Sequence, residues 1–145
     1  MTSPPSVPLR VRAFMTAMTA CGPEADEVQA SGDKARREAL TERLRAIYEE
    51  HCSAKGKGPG RFGRNLIGPG PIVNPPKFNQ EILRVENGPK KSVFYVITKP
   101  RADPNTLWRF TVTVDKAGTP LIDDLHGIAL TMAGEPHGEW AKFGY

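Results

Sequence analysis

The residues best placed to do chemistry fall in three groups. The first is the stretch GKGPGRFGRN, where Gly58, Gly60 and Gly63 spell G-x-G-x-x-G and Gly58 to Asn65 comes one step from G-x-x-x-x-G-K-[ST]. Glycines at that spacing hold phosphate when a strand precedes them and a helix N-terminus follows, because free N–H groups then face the anion. Here they follow a helix-forming segment, so they meet its C-terminal carbonyls, which carry partial negative charge. Pro59 removes one N–H, and Arg64 and Asn65 stand where the lysine and the magnesium-binding hydroxyl would be. No phosphate cradle is expected.

The second group is Asp123, Asp124 and His126 in LIDDLHG, the one compact set of general acid–base types. A strand lining a cavity could aim one of them at a substrate. The expected reading is plainer: a turn or a solvated strand end. The third group is the remaining histidines and the two cysteines. His51, His126 and His137 belong to no H-E-x-x-H, C-x-x-C or G-x-S-x-G pattern, and His51 lies on an apolar helical stripe as a packed core residue. Cys21 and Cys52 are too few for a disulfide framework or a structural zinc site. They read as buried thiols in a reducing compartment, bridged only if two helices bring them together. Neither a cofactor nor a metal is implied.

These groups must be positioned by one domain, since 145 residues bury a single core comfortably and two poorly. A hydrophobic share of 39% and a charged share of 25% are those of an ordinary globular protein. The 14 glycines and 14 prolines cluster, which predicts ordered elements separated by loops. The net charge of +4 and pI near 9.2 come from scattered Lys and Arg rather than one basic face, so nucleic acid is not the expected partner. No stretch approaches the ~20 apolar residues of a membrane span. Arg10 and Arg12 before AFMTAMTAC resemble a short export signal ending at a lipid-modified Cys21. The same residues place Val11, Phe14, Met15 and Met18 on one face, so an amphipathic helix in a cytoplasmic protein is expected instead.

Residues 1–8 read as a frayed lead, and a first helix is predicted from Leu9 to Cys21, stopped by Gly22-Pro23. A polar acidic connection follows. Ser31 or Asp33 then caps a second helix, with Leu40, Leu44, Ile47 and His51 as its core stripe and Tyr48 beside them. From Ala54 to Pro76 the density of glycine and proline permits only loop. Four strands are predicted in FNQEILRVE, SVFYVITK, TLWRFTVTVDK and TPLIDDLHGIALT. In the third, Trp108, Phe110, Val112 and Val114 share one face, and Arg109, Thr111 and Thr113 the other. One apolar face implies a half-covered sheet with the helices as its cover, an α+β fold. The domain is expected over residues 9–131, with 132–145 as a C-terminal tail.

Two helices, a long loop and about four antiparallel strands resemble the cone-shaped nuclear-transport-factor-2-like fold. The motifs are more specific. VRAFMTAMTAC, LTERLRAIYEEHCSAKGKGPGRFGRN, NPPKFNQEILRVE and LWRFTVTVDKAGTPLIDDL together resemble the nuclear-transport-factor-2-fold immunity protein family of bacterial polymorphic toxin systems. The matching residues are Ile47, Tyr48, Cys52, Ser53, Arg61, Gly63, Asn74, Pro75, Pro76 and Phe78, within a resemblance spanning residues 9–125. The chain departs from the pattern at His51, where an aromatic ring is expected, in the longer loop LIGPGPIV, and in the tail from Met132 to Tyr145.

The resemblance implies a non-enzymatic protein that binds the catalytic domain of a cognate toxin and protects the producing cell and its kin. Anchors of the type that dominate such interfaces are Arg61, Phe62 and Arg64 in the loop, and Trp140, Phe143 and Tyr145 in the tail. The positive charge favours an acidic surface on the partner. The alternative is a small enzyme or ligand-binding domain of ketosteroid-isomerase-like type, with Asp124 or His126 in the cone cavity.

Overall fold

The computed structural model describes residues 4–53, 78–101, 103 and 105–142. Among them the chain runs through three helices and then five strands: α1 Ser6–Ala20, α2 Gly22–Ser31, α3 Lys34–His51, β1 Gln80–Asn87, β2 Val93–Pro100, β3 Thr106–Val114, β4 Pro120–Leu130 and β5 Pro136–Lys142. The class is α+β, as the order of sequence patterns predicts.

Two expectations about the N-terminal part are corrected. First, α1 starts at Ser6 rather than Leu9, and Val7 is fully buried, so the end of the lead is anchored rather than frayed. Pro8 is compatible with this because first-turn residues need no N–H partner within the helix. Second, Gly22-Pro23 bends the chain at Cys21 without ending helical structure. Pro23 sits in the first turn of α2, where its missing N–H costs nothing, and Ala25 and Val28 of the acidic connection are buried. Helix α2 ends at Gly32, whose φ of 66° is the left-handed conformation that favours glycine.

Helix α3 begins at Asp33, whose carboxylate accepts the Arg36 N–H at 3.2 Å. Its buried residues are Leu40, Leu44, Tyr48 and His51, so Tyr48 occupies the middle of the stripe and Ile47 its half-buried margin. Arg36–Glu27 and Arg43–Glu24 link α3 to α2 across an exposed surface. Pairs of this kind fix orientation and add little stability, about 0–1 kcal/mol each.

The sheet is a meander of order β1-β2-β3-β4-β5, every neighbouring pair antiparallel. The fifth strand extends it beyond the four predicted and lies within the segment expected as a tail. Helix α1 touches α3 and strands β1 to β4, which makes it the centre of the helical cover. The alternation predicted in β3 decides which side is covered: Trp108, Phe110 and Val112 join Phe94 and Val96 against the helices.

Aromatic rings fill that layer. Phe14 of α1 meets Tyr48 at 5.5 Å, His51 at 6.0 Å, Phe78 at 5.3 Å and Phe110 at 6.2 Å between ring centroids. Phe78 in turn stands edge-on to Trp108 at 5.4 Å. These tilted and edge-to-face arrangements set the positive rim of one ring against the negative face of the next.

Candidate interaction face

On the side of the sheet away from this core, alternation along β3 sets Leu107, Arg109, Thr111 and Thr113. Cross-strand partners share a face. Register therefore brings Ile97 of β2 and His126 of β4 beside Arg109, Ile128 beside Leu107, and Asp124 beside Thr111. Ile97, Leu107 and Ile128 form a second, smaller apolar cluster, with Tyr95, Leu130 and Trp140 packed against it. Among the described residues, the helical core residues all belong to the other cluster.

Arg109 lies at the middle of this face between two rings. Its guanidinium carbon is 4.2 Å from the centroid of Tyr95 and 5.0 Å from that of Trp140. Tyr95 stands on β2 two positions before Ile97, the register partner of Arg109, and therefore on the same face. Trp140 arrives because β5 pairs with β4, with Lys142 opposite His126 and Ala141 opposite Gly127. The Arg109 Nε is buried with no hydrogen-bond partner. Cation, aromatic and aliphatic side chains thus meet on one half-buried surface, the composition typical of the energetic centre of protein interfaces.

Of the residues predicted from sequence as partner contacts, Trp140 is described and belongs to the arginine clamp. Arg61, Phe62 and Arg64, together with the whole GKGPGRFGRN stretch, lie outside the described residues, as do Phe143 and Tyr145. Tyr95 and Arg109 were not singled out by sequence reasoning as contacts. The available signal was the alternation of β3, which already placed Arg109 on the face opposite Trp108. What was missing was β5, whose segment PHGEWAK alternates too weakly to read as a strand.

The acid–base group separates. Asp123 is a tie: its carboxylate accepts from the Ser53 hydroxyl at 2.5 Å and from the Thr113 hydroxyl. Ser53 is there because the chain leaving α3 pairs with β4, Cys52 bridging Ile122 and the Ser53 N–H reaching the Ile122 carbonyl at 3.0 Å. Asp124 is buried, with an oxygen accepting the Leu125 N–H at 3.0 Å. His126 is the register partner of Arg109. Neither shares a face with Phe110.

His51 is a structural residue, as expected from its stripe. Arg10 reaches it from α1, with Nη1 3.0 Å from His51 Nδ1, while Arg10 Nε donates to the Pro120 carbonyl at 2.8 Å. One arginine thereby joins α1, the end of α3 and the start of β4. The His51 pKa is pushed down by burial, with Arg10 adding to the depression and Glu50 opposing it. Cys21 and Cys52 are both buried and unbridged, and burial raises the Cys21 thiol pKa.

Among the described residues no group of three or more His, Cys, Asp and Glu could hold a metal, and no helix is long and apolar enough to cross a membrane. A groove of about 370 Å³ runs between α1 and the residues leading into β1, lined by Arg12, Met15, Thr19, Phe78 and Gln80 among others. It lies on the helical side and has no contact with the arginine clamp. No family model, no curated protein and no solved structure matches this chain.

Proposed function

We propose that the chain is a toxin-neutralising binding protein of the nuclear-transport-factor-2-fold immunity type, acting in the cytoplasm of the cell that makes the toxin. The observation that carries this reading is the Tyr95–Arg109–Trp140 cluster on the sheet face opposite the helices. Such side chains supply large contact area and directional hydrogen bonding at little conformational cost, which is why they dominate alanine scans of tight interfaces. A five-stranded meander backed by helices gives them a rigid support. The order of helices and strands is compatible with the cone-shaped fold.

The ketosteroid-isomerase-like alternative needs an acid–base side chain in a cavity beneath the helices. Phe14, Tyr48, Phe78, Trp108 and Phe110 pack ring against ring in that space, and Asp124 and His126 register with residues of the other face. Both observations favour binding over turnover.

The test is co-expression with the catalytic domain of the toxin encoded immediately upstream. Rescue of growth and co-purification are expected, and Trp140→Ala with Tyr95→Ala should weaken both while the protein stays folded. Neither rescue nor co-purification would end the proposal. Full rescue by the double variant would move the interface elsewhere on the molecule.

A further inference from the structure

Among the described residues, no carboxylate pairs with the arginine at the centre of this face. No hydrogen bond or ion pair reaches Arg109 from any described residue, while Arg10, Arg36, Arg43, Arg45 and Arg84 all have one. Its Nε is sealed from solvent without an acceptor. Buried donors of this kind are rare in folded proteins, and each asks what it is for. The two rings account for part of the answer, since they compensate the charge through their negative faces. Stacking, however, uses the faces of the guanidinium and leaves its N–H groups, which lie in its plane, undirected. Nη1 and Nη2 are the donors left for an incoming acceptor.

We infer that Arg109, held between Tyr95 and Trp140, is a receptor for a carboxylate. A planar, two-oxygen monoanion matches the planar edge of a guanidinium and forms two parallel charge-assisted hydrogen bonds. A dianionic phosphate or sulfate fits less well. Arg109 is a single cation, Asp124 is the nearest acid by register on the same face, and Ile97, Leu107 and Ile128 surround it with apolar surface. The ring clamp fixes the guanidinium before the anion arrives, so little side-chain freedom is lost on binding. The site stands without the neutralisation reading: its carboxylate is either a free small acid or an acidic side chain on a protein segment.

The experiment uses the two tryptophans as internal reporters. Trp140 is in the clamp and Trp108 is buried on the opposite face. The full chain, labelled with ¹⁵N, is titrated with sodium acetate, with sodium chloride and with sodium sulfate at matched ionic strength, and Trp140→Phe assigns the two indole N–H signals. The expected result is a saturable shift of the Trp140 signal with acetate alone, Trp108 staying in place. Arg109→Gln should abolish it, and Arg109→Lys, which keeps the charge but loses the fork, should weaken it. A blocked Leu-Glu-Leu peptide whose only carboxylate is the glutamate side chain separates the sources. Binding about tenfold tighter than acetate assigns the carboxylate to a protein segment, and equal binding assigns it to a free acid. No saturable shift with either probe, an unchanged shift in Arg109→Gln, or tighter binding of sulfate than acetate would overturn the inference. Should Arg109→Gln fail to fold, the wild-type preference among the three anions still decides it.

Discussion

Replacing Phe14 by alanine tests the packing on which every other statement about this molecule depends. Phe14 is fully buried and meets four other rings, from α3, from the approach to β1 and from β3. Returning such a ring to water forfeits about 1.5–3 kcal/mol of transfer free energy. Its neighbours Phe78 and Phe110 are each packed against Trp108 as well, so they cannot all collapse into the vacated space, and the cavity term brings the loss to about 3–5 kcal/mol. A domain of this size is stable by roughly 5–15 kcal/mol, so the variant should remain folded in buffer but lose a large part of its reserve. Urea unfolding followed by tryptophan fluorescence is the assay. With a slope of about 2 kcal/mol per molar, the midpoint should fall by roughly 2 M. Phe14→Leu refills much of the volume and should cost roughly half as much. A loss below about 1 kcal/mol for the alanine variant would mean that Phe14 is not enclosed, and the helix–sheet arrangement would have to be redrawn.

Three further outcomes follow from the same structure. Burial and Arg10 depress the His51 pKa below its ordinary value of 6.5, so the folded chain binds fewer protons than the unfolded one across that window. Stability should be complete above pH 6.5 and fall as the pH drops from there through the folded pKa; His51→Gln should flatten that part of a denaturation–pH profile. Asp33→Ala removes the acceptor at the start of α3 and should cost about 1 kcal/mol, read as a lower thermal midpoint, whereas Asp33→Asn should keep most of it. Gly118 has a φ of 85° in the turn between β3 and β4, and Gly118→Ala should destabilise by about 1–2 kcal/mol without altering the circular dichroism spectrum of the folded protein.

Much of this fold is legible in the sequence because it is built from strong local periodicities. The β3 segment alternates so regularly that its two faces can be written down from the residues alone. The apolar stripe of α3 emerges the same way, with an error of one position: Tyr48 and not Ile47 lies at its centre, because the face is set by where α1 and the sheet sit. The segments misread are those where one local rule conflicts with a neighbouring one. Gly22-Pro23 is a stop for the helix before it and an acceptable first turn for the helix after it. PHGEWAK has little reason to be a strand by itself and becomes one by pairing with an edge that β4 leaves open.

The candidate site was less legible than the fold. From sequence alone, Trp140 could be chosen for its type, but not for its place beside Arg109. The Asp-Asp-His group could be noticed but not divided into a structural tie at Asp123 and two residues on the far face.

Composition and periodicity by themselves determined that this chain has an α+β fold with one face of its sheet covered by helices. They also determined that Trp108 and Arg109 point in opposite directions, since successive residues of a strand must. Only the tertiary structure decided that Phe78 closes over Trp108 and that Tyr95, Arg109 and Trp140 converge from three strands. The physical reason is that periodicity is a property of neighbours along the chain, whereas register and bulges set which strands' side chains meet, and those depend on the whole sheet.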